Sequence, residues 1–64
     1  MTVMAEAPVR YMTPVDLAEV LQIPVTTLAN WRSAKKGPRF FRLGGLVRYD
    51  PADVAEWLED QRAE

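Results

Sequence analysis

Residues 13–33, TPVDLAEVLQIPVTTLANWRS, decide the fold of this chain. Thr13-Pro14-Val15-Asp16 puts a hydroxyl at a helix N-cap, proline at the first helical position and a carboxylate at the third. That carboxylate also faces the positive end of the helix dipole. Leu17, Val20 and Leu21 then recur at i, i+3 and i+4 and predict one apolar stripe. Pro24 disfavours α geometry at Ile23, so the first helix stops near Gln22. The fixed φ of Pro24 suits the start of a second helix. On that helix Leu28 and Trp31 share a face with Pro24, while Thr26, Ala29, Asn30 and Ser33 occupy the opposite one. Two short helices joined by so tight a turn form a helix-turn-helix, with the second helix projecting outward.

The next stretch, WRSAKKGPRFFRLGGLVR at residues 31–48, holds Arg32, Lys35, Lys36, Arg39, Arg42 and Arg48, six of the eight Lys/Arg, and no acid. The second helix ends around Lys35-Lys36-Gly37-Pro38, where cations meet the negative helix end and Gly-Pro stops propagation. Phe40-Phe41-Arg42-Leu43 and Leu46-Val47-Arg48-Tyr49 flank Gly44-Gly45 and predict a hairpin, since a two-residue primed turn needs positive φ. Alternation is expected to send Phe41, Leu43, Val47 and Tyr49 inward and Arg42 and Arg48 outward, with Phe40 also outward. Asp50-Pro51-Ala52-Asp53 repeats the cap-proline-acid signature and opens a third helix. Val54, Trp57 and Leu58 line one of its faces, and Asp53, Glu56, Glu59 and Asp60 the other. The expected fold class is α+β, mostly α: a small winged helix-turn-helix with a two-stranded wing and a C-terminal helix. Residues 11–62 are expected to form this domain, and residues 1–10 a flexible N-terminal arm.

Composition narrows the function. With 64 residues there is room for one core. The absence of Cys and His removes disulfides, the common zinc constellations and thiol or imidazole catalysis. No paired carboxylates flank a predicted pocket, so neither a catalytic residue, a metal site nor a cofactor is expected. No apolar run approaches a membrane span, and the N-terminus lacks a signal-peptide pattern, so a cytoplasmic domain is expected. The net charge of −1 conceals a segregated chain, because Asp50 to Glu64 carries six carboxylates against Arg62. Charged groups act over roughly 8 Å at physiological salt, so a local basic patch matters more than the sum. A cationic segment studded with aromatics points to nucleic acid.

The ordered set resembles the winged helix-turn-helix domains of the excisionase family, relatives of the MerR-type DNA-binding domain. The resemblance rests on Leu17-Ala18-Glu19-Val20-Leu21-Gln22-Ile23, on Thr26-Thr27-Leu28-Ala29-Asn30-Trp31-Arg32, on the run from Gly37 to Tyr49, and on Asp53-Val54-Ala55-Glu56-Trp57-Leu58. It implies double-stranded DNA as a partner, with the second helix in the major groove and the wing at an adjacent minor groove. It further implies a recombination directionality factor that assists an integrase in excision, in the host cell of a phage or mobile element. Small transcriptional regulators share the pattern. Two positions depart from it: Pro24 stands where Ser or Thr often caps the second helix, and Gly44-Gly45-Leu46 replaces a basic wing tip.

On this resemblance Asn30 is suited to pair with adenine N6/N7 and Thr26 to touch a phosphate or a thymine methyl. Ala29 and Ser33 share that face, and Val25 and Thr27 flank it, serving core or DNA. Arg32, Lys35, Lys36 and Arg39 are expected on phosphates, with Arg42, Arg48 and the Gly44-Gly45 tip forming the wing contacts. Trp31, Trp57 and Phe41 are expected in the core, and Phe40 on a contact surface. The acidic face, Glu56, Glu59 and Asp60 above all, is either a solvated surface or a site for head-to-tail self-association on DNA. A reading of another class makes the domain a protein-interaction module built on that acidic helix.

Overall fold

A computed structural model describes residues 10–63. The chain forms α1 (Pro14–Leu21), α2 (Val25–Ser33), β1 (Phe41–Leu43), β2 (Leu46–Arg48) and α3 (Pro51–Asp60). This is the element order expected from the sequence, and it makes a winged helix-turn-helix. The expected arm lies outside the described residues except for Arg10.

The helix starts follow their caps. At α1 the Asp16 amide donates to Thr13 Oγ1 at 3.0 Å and the Thr13 amide donates to Asp16 Oδ2 at 3.1 Å. This reciprocal capping box satisfies two donors that the first turn leaves unpaired. At α3 the Ala52 amide donates to Asp50 Oδ1 at 2.9 Å, with Pro51 following the cap. Pro24 caps α2 with extended geometry and no side-chain bond, so the helix proper begins at Val25, one residue later than expected.

α1 and α2 end alike. Gln22 takes φ 59°, Ile23 N–H donates to Ala18 O at 3.0 Å, and Gln22 N–H donates to Glu19 O at 3.2 Å. Lys35 takes φ 60°, Lys36 N–H donates to Trp31 O at 2.7 Å, and Lys35 N–H donates to Arg32 O at 3.2 Å. Both are Schellman closures, made here on non-glycine residues. The first turns the chain into α2. The second delivers it to Gly37, whose backbone lies against the Trp31 ring, and then to the buried Pro38.

The core gathers Leu17, Ala18, Leu28, Tyr49 and Val54, with Met12, Leu21, Ile23, Trp31, Phe40 and Val47 packed around it. Val20, expected on the stripe, is 61% exposed. The buried face of α1 centres between Leu17, Ala18 and Leu21, and at 100° per residue Val20 lies about 100° from that centre. On α3, Val54 is buried and Trp57 half-buried, while Leu58 is 40% exposed. Trp57 meets Trp31 with ring centroids 5.4 Å apart, so both tryptophans serve packing.

The hairpin corrects the expected alternation. Its register sets Phe41 opposite Arg48, Arg42 opposite Val47 and Leu43 opposite Leu46. Directly opposite residues project from the same side of an antiparallel pair. Phe41, Leu43, Leu46 and Arg48 therefore share the outer face; Arg42 shares the other with Val47 and is nonetheless exposed, as expected. The same parity puts Phe40 with Tyr49. Phe40, expected outward, packs on the core, whereas Phe41, expected inward, is 41% exposed and meets Tyr11 edge-on at 5.6 Å. Arg42 and Arg48, expected together, lie on opposite faces.

Tyr49 continues β2 into an isolated bridge with Met12. The Met12 amide donates to Tyr49 O and the Tyr49 amide to Met12 O, both at 2.8 Å. This pairing adds the segment before α1 to the free edge of β2.

The two glycine sites make different demands. A Cβ on Gly37, at φ 80°, would lie 2.8 Å from Trp31 Cε3, whereas one on Gly44, at φ 59°, meets nothing within 4 Å. Gly37→Ala is expected to cost more than about 2 kcal/mol, the left-handed penalty of roughly 1–2 kcal/mol plus the overlap. Gly44→Asn keeps an Asn-Gly primed turn and should stay within about 0.5 kcal/mol of the parent. Urea denaturation of the two variants checks the contrast.

Candidate nucleic-acid interface

α2 turns its apolar side inward through the fully buried Leu28 and the half-buried Trp31. Thr26, Ala29, Asn30 and Ser33 stand exposed on the other side, as the helical period requires. Val25 is exposed at one flank and Thr27 half-buried at the other, so Val25 extends the outward surface while Thr27 also serves the fold.

Beyond the end of α2, Arg32, Lys35, Lys36, Arg39 and Arg42 surround Phe40, Pro38 and Gly37 in an open depression of about 540 Å³. Among the described residues none of these five cations forms an ion pair with a carboxylate; the salt bridge present there joins Arg62 to Glu59. Phe40 organises the cluster. The Arg32 guanidinium carbon lies 5.8 Å from its ring centroid and that of Arg42 lies 5.6 Å away. Each cation is within reach of the negative face of the ring, an attraction that partly offsets their mutual repulsion.

Arg32 is held from below as well. Its Nη1 donates to the Tyr49 hydroxyl at 2.8 Å, which joins α2 to the end of the wing. The phenol is 1% exposed, and the bond supplies its hydroxyl with a donor. The guanidinium is thereby fixed by one hydrogen bond and one aromatic face, and among the described residues no other acceptor engages its N–H groups. Sequence reading assigned Arg32 to the cationic group and missed both Tyr49 as its anchor and Phe40 as its platform. The signal was available in the two-residue turn, whose parity pairs Phe40 with Tyr49.

Not every expected contact residue joins this group. Arg48 sits half-buried on the outer hairpin face, and its Nη1 donates to Val47 O at 2.7 Å. Gly44 and Gly45 form the exposed tip. Arg39 stands at a junction, for it also borders a second depression of about 260 Å³ lined by Asp53, Glu56, Asp60, Trp57 and Gly37. Asp53 is half-buried there and not on an open solvated face. Glu59 lies apart from it, taking two bonds from Arg62 at 2.9 and 3.0 Å, which hold its carboxyl below the ordinary glutamate value.

A three-residue turn between two helices, an outward second helix, a hairpin and a closing helix define a winged helix-turn-helix. The family described as "Helix-turn-helix domain" matches residues 11–62, and the chain belongs to that family of DNA-binding domains. No curated protein and no solved structure matches the chain. No helix among the described residues is long and apolar enough to cross a membrane.

Tyr49→Phe tests the anchor. Removing the acceptor of a charged donor should lower stability by about 1.5–3 kcal/mol, or less where water reaches the half-buried Arg32. Thermal melts of the variant against the parent measure this, and a change within error would show that the bond contributes nothing.

Proposed function

We propose that this domain binds double-stranded DNA with sequence preference, α2 reading the major groove. Thr26, Ala29, Asn30 and Ser33, flanked by Val25 and Thr27, face the bases. Arg32, Lys35, Lys36, Arg39 and Arg42 engage phosphates, and the Gly44-Gly45 tip with Arg48 lies at the neighbouring minor groove. The supporting observation is the gathering of five cations that have no carboxylate partner among the described residues, beside an exposed polar helix face. Phosphate supplies the missing counter-charge and fixes register, while base edges supply discrimination.

The role proposed for that binding is excision, as a directionality factor working with an integrase in the cytoplasm of a host carrying a phage or mobile element. The ordered resemblance to excisionases supports it. Adjacent protomers would associate head-to-tail on DNA, the acidic face at Glu56, Glu59 and Asp60 meeting cations of the next copy that no phosphate occupies. The segregation of six carboxylates after Tyr49 from the cationic run before it supports this arrangement. A small transcriptional regulator is the alternative within the same fold, and footprinting on the protein's own genomic neighbourhood separates the two. Protection over direct repeats beside an attachment site supports excision; protection over a promoter supports regulation.

Affinity should fall steeply with salt. If four of the five cations neutralise phosphates, the log–log slope will be about −3.6, and Lys35→Gln or Arg42→Gln will flatten it by about 0.9 each. Asn30→Ala should leave the slope unchanged and weaken preference for the selected site by about 1–3 kcal/mol. Fluorescence anisotropy across a salt series measures both, and failure to find any sequence-preferring binding at low salt defeats the proposal.

A further inference from the structure

The outer face of the hairpin has no role in the core or in the cationic groove, yet it is apolar. Leu43 is 50% exposed and Leu46 58% exposed, side by side as the last cross-strand pair before the turn. Behind them the same face continues into Phe41 and Tyr11, packed edge to face. The tip beyond the leucines is Gly44-Gly45, which carries no side chain that could keep them from a surface. Arg48 flanks the pair on its own face and Arg42 on the other.

We infer that Leu43 and Leu46 form an apolar wedge that enters the minor groove, partly unstacks one base step and bends the duplex. The inference rests on the DNA-binding reading above and adds a mechanical act to it. Three considerations select this occupant. The stretch from Trp31 to Tyr49 contains cations and no acid, so the surface around the leucines suits a polyanion. The minor groove of B-form DNA is about 6 Å wide, while the two backbones of a β-ribbon alone lie about 4.8 Å apart. A ribbon carrying leucines enters only where the groove opens, and apolar side chains inserted between bases open it in this way. A second copy of the chain is a poor match, because strands of three residues run only about 10 Å and a stable interface buries about 800 Å² per partner.

The experiment compares the parent with the Leu43→Ser/Leu46→Ser double variant on a duplex recovered from a random-sequence pool. Melting curves first establish that these exposed substitutions leave the domain folded. Bending is read by energy transfer between dyes at the duplex ends, and unstacking by the fluorescence of 2-aminopurine stepped through the site. Expected for the parent are a bend of about 20–90° and a 2-aminopurine rise at one step. The double variant should lose at least half the bend and the fluorescence rise, bind less than tenfold more weakly, and keep the same salt slope. Parent binding without bend or unstacking overturns the wedge and leaves the DNA reading intact. So does a double variant that bends DNA as the parent does. Parent self-association lost in the double variant, with bending unchanged, would overturn the wedge and assign the face to a second copy. Absence of any duplex binding by the parent would remove the DNA reading and the wedge with it.

Discussion

The bond from Arg32 to the buried Tyr49 hydroxyl ties together the parts that the rest of the structure needs in register. Tyr49 is where the wing ends, where Met12 joins the sheet edge and where the chain turns through Asp50 into α3. Its ring packs near Phe40, at 6.2 Å between centroids. A single residue thus connects the segment before α1 through its backbone and the outward helix through its side chain. In a domain of 64 residues, which buries only about 60% of its unfolded surface, such a junction replaces the redundancy that a larger core would provide. Its polar end is satisfied by a cation that also lines the cationic depression, so the core and that surface share the residue Arg32.

Charge segregation follows from the same topology. The Schellman turn at Lys35 and the close approach of Gly37 to Trp31 bring the basic run after α2 back toward the hairpin. Five cations then share one depression without a carboxylate among the lining residues, while the acids of α3 line the neighbouring one. Burial elsewhere is apolar, with no buried charged residue among the described ones. The folded domain therefore keeps its charges at the surface, where they steer encounters with an anionic partner at little cost to stability.

Much of this was legible in the sequence because it is local. The caps at Thr13 and Asp50, the stop imposed by Pro24, the outward face of α2 and the Gly-Gly turn each depend on residues within a few positions of one another. So did the cationic character of the run from Arg32 to Arg48. The candidate site was legible as a set of residues but not as an arrangement. Arg48 separates from Arg42 because opposite strand positions share a face, and Glu59 separates from Asp53 and Asp60 because the helical period carries it roughly 100° around α3. Phe40 packs inward in place of Phe41 because the two-residue turn gives Phe40 the parity of the buried Tyr49.

The sequence by itself determined the order of elements, their starts and stops, and the family pattern, since capping, helical period and turn chemistry act between residues only a few positions apart. Only the tertiary structure decided that Met12 pairs with Tyr49, that Arg32 reaches across to the phenol, and that Val20 stays exposed. Those outcomes depend on how few residues can surround Leu17, Leu28 and Tyr49 at once, a limit set by packing in three dimensions and carried by no single stretch of chain.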